Sequence, residues 1–503
     1  MKYARSEFVK SAGLSAVALS IPVIGTAADK PNIVYILADD LGYGDVGCYN
    51  SQAKLPTPRI DRLATEGMRF TDAHSHAACT PTRYAILTGR YTFRSRVPVH
   101  VLMTYDPPLI EEGRLTVPAL LKQHCYLTAC IGKWHLGWDW PFPNSDRKGD
   151  PDFTKPIAGG PTTRGFDEYF GTDVPNLPPY AFIHNDRLTA QPTANFPGRN
   201  NDYYVHRAGP MVPGWKFEDI MPTFGAKVDE YLHARAADKK PFFLYYAFTI
   251  PHEPLAPTAE FAGKSRINRV GDLILQTDAA VGAVLDTLEK LGLDKNTIVI
   301  FTSDNGHGAA TGVSALLAAG HDPSRPFRGY KGSILEGGHR IPLMVRWPGK
   351  VKPGTVCEEV ISLNSLMATC AEMLDTKLPP NAGEDSCSIL PLLLGQPGQY
   401  HPKRTAEVHA GVNGIAVREG QWKLVESKVK RSLPSRPDAL SGLYDVKADP
   451  AEKHNVIAQY PDIAAKLKAE LDKIVGPDAG KVNRTGSDDE DAPAPAAKRS
   501  KPN

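Results

Sequence analysis

The sequence predicts an α/β protein, a large and mostly parallel sheet sandwiched by helices, with a smaller C-terminal α+β domain. Three observations lead there. From about Lys30, short runs that are apolar throughout alternate with amphipathic helical stretches, the pattern of a sheet covered on both faces. At 503 residues the chain exceeds what one hydrophobic core normally holds. Beyond Leu378-Pro379-Pro380-Asn381 the helix-rich pattern gives way to short strand-like runs.

Taken in order, Lys2, Arg5 and Lys10 precede an apolar run from Ala12 to Ile24 and the small residues Gly25-Thr26-Ala27-Ala28. This reads as a signal peptide over 1–28. The run is short for a membrane span, and no other stretch approaches that length. Arg5-Ser6-Glu7-Phe8-Val9-Lys10 also looks like a twin-arginine motif with its second arginine lost, so two export routes stay open. No cysteine follows the run, so no lipid or membrane anchor is expected, and the protein is predicted to be exported, periplasmic or secreted.

Ile33 to Leu37 is a buried strand, Thr57 to Glu66 a helix with Ile60, Leu63 and Ala64 inward, and Thr116 to His124 a second helix. Tyr126 to Ile131 and Phe242 to Phe248 are strands, Asn268 to Leu291 a long helix, and Thr297 to Phe301 another strand. Gly137 to Gly214 is rich in Pro, Gly, Asn, Asp and aromatic residues with little periodicity, as in a functional loop system. Gly414 to Arg418 and Trp422 to Val425 are strand-like, and Asp462 to Ile474 is helical. The expected division is 1–28 signal peptide, 29–380 larger α/β domain, 381–480 α+β subdomain and 481–503 disordered tail.

A formal net charge of +2 gives no global reason to expect nucleic acid or an anionic membrane as partner. Seven cysteines are too sparse for a disulfide scaffold, and none makes the C-x-x-C spacing of a zinc site. Disulfide pairing among Cys48, Cys125, Cys130, Cys357, Cys370 and Cys387 stays open.

In parallel sheets, ligands bind outside the carboxyl ends of the strands, and the polar residues of this chain gather at those ends. Asp39-Asp40 follow the first strand, with Gly42 and Gly44 allowing close backbone approach, and Asp304-Asn305-Gly306 follow the strand ending near Phe301. Three carboxylates together repel unless a cation neutralises them, and an all-oxygen donor set suits Ca²⁺ or Mg²⁺. Cys79-Thr80-Pro81-Thr82-Arg83 places a small nucleophile-type residue at the start of a helix that Gly89 would stop. There the helix dipole favours anions. Lys133-Trp134-His135, Pro251-His252-Glu253-Pro254 and Arg328-Gly329-Tyr330-Lys331, running on to Gly337-Gly338-His339-Arg340, bring cations and imidazoles to further connections. An oxyanion ester would need such groups, because charge develops on its oxygens in the transition state.

Cys79-x-Pro81-x-Arg83 with the downstream Leu87-Thr88-Gly89 resembles the signature of the type I, formylglycine-dependent sulfatases, arylsulfatase-like members of the alkaline phosphatase-like superfamily. The likeness runs from Pro31 to about Gly349, with a further echo at Leu443-Tyr444-Asp445. It implies that Cys79 is oxidised by a formylglycine-generating or equivalent maturation enzyme to 3-oxoalanine, whose hydrate is the nucleophile. It assigns Asp39, Asp40, Asp304, Asn305 and the modified Cys79 as ligands of one calcium ion. It further implies that Arg83 supports residue 79, Lys133 and Lys331 contact the sulfate, His135 bonds a formylglycine hydroxyl and His252 acts as general acid. The family's last polar sulfate contact falls near Thr172-Asp173-Val174-Pro175-Asn176 and is not assigned.

The expected activity is therefore hydrolysis of sulfate esters, on sulfated sugars and also aryl sulfates. A phosphatase or phosphodiesterase of the same superfamily, typically with two zinc ions and a Ser or Thr nucleophile, and an inactive sulfatase-like binding protein are the alternatives. The loop from Trp138 through His184-Asn185-Asp186 either lines sugar subsites or packs on itself.

Overall fold

The structure is a computed structural model that describes residues 30–476, apart from 148, 202–203, 239, 309–311, 403–406, 413 and 428–440. The expected signal peptide and C-terminal tail lie outside the described residues.

Ten strands form one sheet. In chain order they are β1 (Asn32–Asp39), β2 (Met68–Phe70), β3 (Leu127–Lys133), β4 (Glu168–Thr172), β5 (Ile183–His184), β6 (Arg187–Leu188), β7 (Phe242–Pro251), β8 (Thr297–Ser303), β9 (Leu343–Arg346) and β10 (Thr355–Cys357). Their order across the sheet is β10-β2-β9-β8-β1-β7-β3-β4-β5-β6. The central run β8-β1-β7-β3-β4 is parallel throughout, while β9 and β5 are antiparallel to their neighbours. The α/β prediction holds, with antiparallel strands added towards both edges.

The helices α1 (Pro58–Glu66), α2 (Cys79–Thr88), α3 (Val117–Gln123), α4 (Ile220–Ala236) and α5 (Arg269–Lys290) cover the two faces. Because side chains alternate along a strand, β1 sends Ile33, Tyr35 and Leu37 into the core shared with α2 and α3. Val34, Ile36 and Ala38 go into the core shared with α1, α4 and α5. All eight residues of β1 and all ten of β7 are buried, which is why these runs read as continuously apolar. Two helix starts are capped by side chains: Asn268 accepts the Gly271 N–H at 2.9 Å, and the Thr116 hydroxyl that of Ala119 at 3.3 Å. Gly89 ends α2 at φ 65°, its N–H donating to the Ala85 carbonyl at 2.8 Å.

The 137–214 insertion is not loop alone. Within it β4 extends the sheet in parallel beside β3, and β5 and β6 finish that edge. Trp138 and Trp140 are buried in the core with Tyr169, so they pack the insertion and do not line a sugar site.

The C-terminal region forms a separate antiparallel sheet from Glu407–Gly411, Gly414–Glu419, Trp422–Ser427 and Gly442–Asp445. One face packs on Leu467, Leu471 and Ile474 of helix α6 (Pro461–Val475), and the other on Ile334 and Leu335. No described helix is long and apolar enough to cross a membrane.

Candidate active site

The carboxyl ends of β1, β3, β7 and β8 meet the N-terminus of α2, and the predicted residues converge there. β1 ends at Asp39, and Asp40 turns the chain out of the sheet at φ 67°, a strained conformation for a residue other than glycine. The Asp40 N–H donates to Asp304 Oδ1 at 3.1 Å, and Asn305 Nδ2 donates to Asp40 Oδ1 at 2.6 Å, so the two acidic turns interlock. Cys79 is the first residue of α2, its sulfur 3.5 Å from Asp39 Oδ1 and 4.0 Å from Asp40 Oδ1. Ligand atoms of Asp39, Asp40, Cys79 and His252 all lie within 4.8 Å of one another.

Cations surround this cluster. Lys133 Nζ donates to Asp39 Oδ2 at 2.8 Å, both side chains being fully buried. Arg83, one turn into α2, donates to Asp304 Oδ2 from Nε at 3.2 Å and from Nη2 at 2.8 Å, and to the Lys133 carbonyl at 3.0 Å. Lys331 Nζ is 3.2 Å from Asp40 Oδ1. His252 Nε2 is 3.9 Å from Asp40 Oδ2, while its Nδ1 bonds the Glu253 carbonyl at 2.5 Å. Gly132 lets Lys133 reach this depth: at φ 120°, a Cβ there would sit 1.8 Å from the Ala247 carbonyl oxygen.

The electrostatics follow from the burial. Burial alone would raise all three carboxyls. At Asp39 the charges of Lys133, His252, Arg83 and Lys331 outweigh it and hold the group well below the usual carboxylate range. At Asp304 burial and the Asp39 charge prevail over Arg83 and push it up to about 7. Burial and the Asp304 charge keep the Cys79 thiol protonated far above its usual range. Such a thiol is a poor nucleophile as it stands.

Nine of the ten predicted site residues therefore meet, and His135 follows Lys133 two residues on, its ring bonded to the Leu102 carbonyl. Arg328 and Arg340, from the same sequence stretch as Lys331, do not: Arg328 bonds the Ala451 and Glu452 carbonyls, and Arg340 pairs with Glu336 and Asp72. Other residues escaped the sequence reading. The Thr80 hydroxyl donates to the His135 carbonyl at 3.0 Å, and half-buried Asp173, in the stretch the sequence left unassigned, accepts the His135 N–H at 3.2 Å. Asp45, fully buried, accepts from His307 Nδ1 at 2.9 Å and His321 Nε2 at 2.8 Å, tying the loop after β8 to the turn after β1. The signal for Asp45 was its Gly42-Tyr43-Gly44 context; His307 and His321 carry none that is local.

A buried carboxylate cluster with lysines and a histidine at the strand ends of such a sheet fits a hydrolase of the alkaline phosphatase-like class, as the sequence resemblance implied. The comparisons specify it. The sulfatase family profile matches residues 31–376, and the profile of the N-sulphoglucosamine sulphohydrolase C-terminal region matches 330–476. The chain is 34% identical to the N-acetylgalactosamine-6-O-sulfatase of Bacteroides thetaiotaomicron, over 90% of this chain and 94% of that one. It is 32% identical to human arylsulfatase A over 89% of each. A solved sulfatase structure from work on glycosaminoglycan metabolism by Bacteroides thetaiotaomicron superposes with a TM-score of 0.79 at 33% identity, covering 88% of this chain and 99% of that one. This chain belongs to the sulfatase family and is a sulfuric ester hydrolase.

Proposed function

We propose that this sulfatase acts on sulfated carbohydrates, with residue 79 matured to formylglycine and one calcium ion beside it. The observation that carries this reading is the meeting of Cys79 at the α2 N-terminus with four oxygen-donor side chains and two lysines. The names of its relatives, an N-acetylgalactosamine-6-O-sulfatase among them, support the substrate class.

Asp39, Asp40, Asp304 and Asn305 would hold the calcium, with residue 79 as a further ligand. The donor set fits a hard cation, and Asn305 Oδ1 is a buried acceptor with no hydrogen-bond partner among the described residues. When bound, the ion would neutralise the carboxylates and polarise oxygens placed next to it. Oxidised and hydrated, residue 79 would supply an oxygen nucleophile and a second hydroxyl for releasing the sulfate.

The other roles belong to the chain's own residues. The α2 N-terminus favours negative charge at residue 79. Lys133 and Lys331 would bind nonbridging sulfate oxygens, and Arg83 holds Asp304 in place. His135 Nε2 bonds the Leu102 carbonyl at 2.9 Å, leaving Nδ1 buried and without a partner among the described residues. That nitrogen is the acceptor for a hydroxyl on residue 79. His252 would protonate the leaving alcohol from Nε2. Burial and the two lysines bring it down to about 4 although Asp39 and Asp40 oppose them, and the charge of a bound sulfate ester would raise it again.

The test joins two measurements on protein from a host able to mature it. Mass spectrometry of the peptide carrying residue 79 is expected to show formylglycine. Wild type is expected to release sulfate from N-acetylgalactosamine 6-sulfate far faster than phosphate from the matching phosphate ester, and Cys79→Ala to lose roughly 10³-fold or more. An intact thiol in active enzyme, or preference for the phosphate ester, would sink the reading.

A further inference from the structure

Beside the His252 turn the surface opens into a groove of about 650 Å³. Three exposed arginines, Arg199, Arg266 and Arg269, stand along it. Two carboxylates line it with them. Asp272 is turned inward, its oxygens accepting the Gly263 and Ser265 N–H groups at 2.8 Å each, so Glu218 is the one left to face the groove. Arg269 donates to the Leu255 carbonyl at 3.4 Å, and the Arg199 guanidinium lies 5.9 Å from the Phe196 ring centroid. Arg266 has no ion pair among the described residues.

The groove adjoins the catalytic cluster. Ala256 and Pro257 in its wall continue the turn that carries His252. His206, also in the wall, is near enough to feel the charges of both Arg199 and His252, which add to burial in lowering it to about 4. Asn176 Nδ2 donates to Glu253 Oε1 at 3.0 Å and ties the 137–214 insertion to that same turn.

We propose that this groove is a second anion subsite, which takes the carboxylate or sulfate of a sugar adjoining the one being desulfated. The inference rests on the carbohydrate-sulfatase reading and narrows it to polyanionic glycans over isolated sugar sulfates. Guanidinium suits either anion, since its planar donors match two oxygens at once. The contacts are exposed, so each contributes modestly and salt screens it.

Binding to the full chain carrying Cys79→Ala separates the two claims, because it does not depend on turnover. The probes are a chondroitin 6-sulfate hexasaccharide, its carboxyl-reduced form and N-acetylgalactosamine 6-sulfate. Calorimetry at low and physiological salt compares this chain with one that also carries Arg199→Ser and Arg266→Ser. The added pair is expected to weaken hexasaccharide binding roughly 5- to 30-fold and flatten its salt dependence, with monosaccharide binding changed less than about twofold. Loss of the arginine effect on carboxyl reduction assigns the subsite to a carboxylate, and its persistence assigns it to a sulfate. Unchanged hexasaccharide affinity, no hexasaccharide binding, or equal losses on both ligands overturns the groove. Arginine-dependent binding alongside a mature wild type that hydrolyses no sugar sulfate overturns the carbohydrate-sulfatase reading alone.

Discussion

At the scale of residues, the site sets acidic and basic side chains directly against one another. Asp39, Lys133, Arg83 and Asp304 are each fully buried, and their charges are meaningful only as a set. His252 stands apart because its proposed proton goes to the leaving oxygen, so its value must depend on the alcohol. Replacing it as His252→Gln is expected to cut turnover of a sugar sulfate roughly 10²- to 10⁴-fold, the usual range for a lost general acid. For 4-nitrophenyl sulfate, whose phenolate leaves without a proton, the loss is expected to stay below about tenfold. Equal losses on both substrates in steady-state assays would remove His252 from that role. The calcium proposal has its own residue-scale consequence. Chelation is expected to abolish turnover and lower the melting temperature, and calcium at 100 times its dissociation constant to restore about 2.7 kcal/mol. A melting curve indifferent to chelator and calcium would exclude a resident ion.

At the scale of elements, legibility followed locality. β1, β7 and β8 were readable because burial on both faces leaves a continuous apolar run, and α3 and α5 because their caps sit in the sequence beside them. The proposed calcium ligands and nucleophile were readable because each stands next to such an element. β4 was not, because Glu168–Thr172 has no strong pattern of its own and takes its form from pairing with β3. The placement of α1 was equally hidden: its first N–H groups, from Arg59 and Ile60, are accepted at 2.9 and 2.8 Å by Asp278 of α5, more than two hundred residues away. Burial pushes Asp278 up to about 6, against the opposing effect of those N–H groups. The folded chain therefore holds the Asp278 proton more tightly than the unfolded chain, and stability from this group is present below about pH 4 and lost as pH rises through about 6. Against an Asp278→Asn variant, wild type is expected to lose on the order of 1–3 kcal/mol across that interval. Chemical denaturation at a series of pH values would show it, and a pH-independent difference would contradict it.

At the scale of the whole molecule, the C-terminal sheet supports the active site. Ile334 and Leu335 pack against Ala416, Val425 and Tyr444 of that sheet, and the Val412 N–H donates to the Gly332 carbonyl at 3.1 Å. The Lys331 loop is thus pinned from behind by a domain that contributes no residue to the cluster among the described residues. Ile389, Leu390, Leu392 and Leu393, beyond the proposed boundary at 380/381, pack with the larger core. Between the two domains lies a buried ionic network in which Lys423 joins Glu336 at 3.0 Å, Glu452 at 2.9 Å and the Ile334 carbonyl at 2.6 Å. Arg340 and Arg418 bind Glu336 and Asp72 around it. Lys423→Met keeps most of the volume but leaves two buried carboxylates short of a cation, and the expected cost is about 3–5 kcal/mol. The loss belongs to uncompensated charge, so adding Glu452→Gln should recover part of it while Lys423→Met alone should not improve with salt. Because the Ile334 carbonyl, three residues from Lys331, loses its Lys423 donor and keeps only His339 Nε2 at 3.2 Å, the variant is also expected to raise KM for a sugar sulfate more than it lowers kcat. Denaturation midpoints read the first effect, and steady-state kinetics well below the unfolding temperature read the second. A variant that loses stability yet keeps the wild-type KM would separate the network from the site and leave it a purely structural joint.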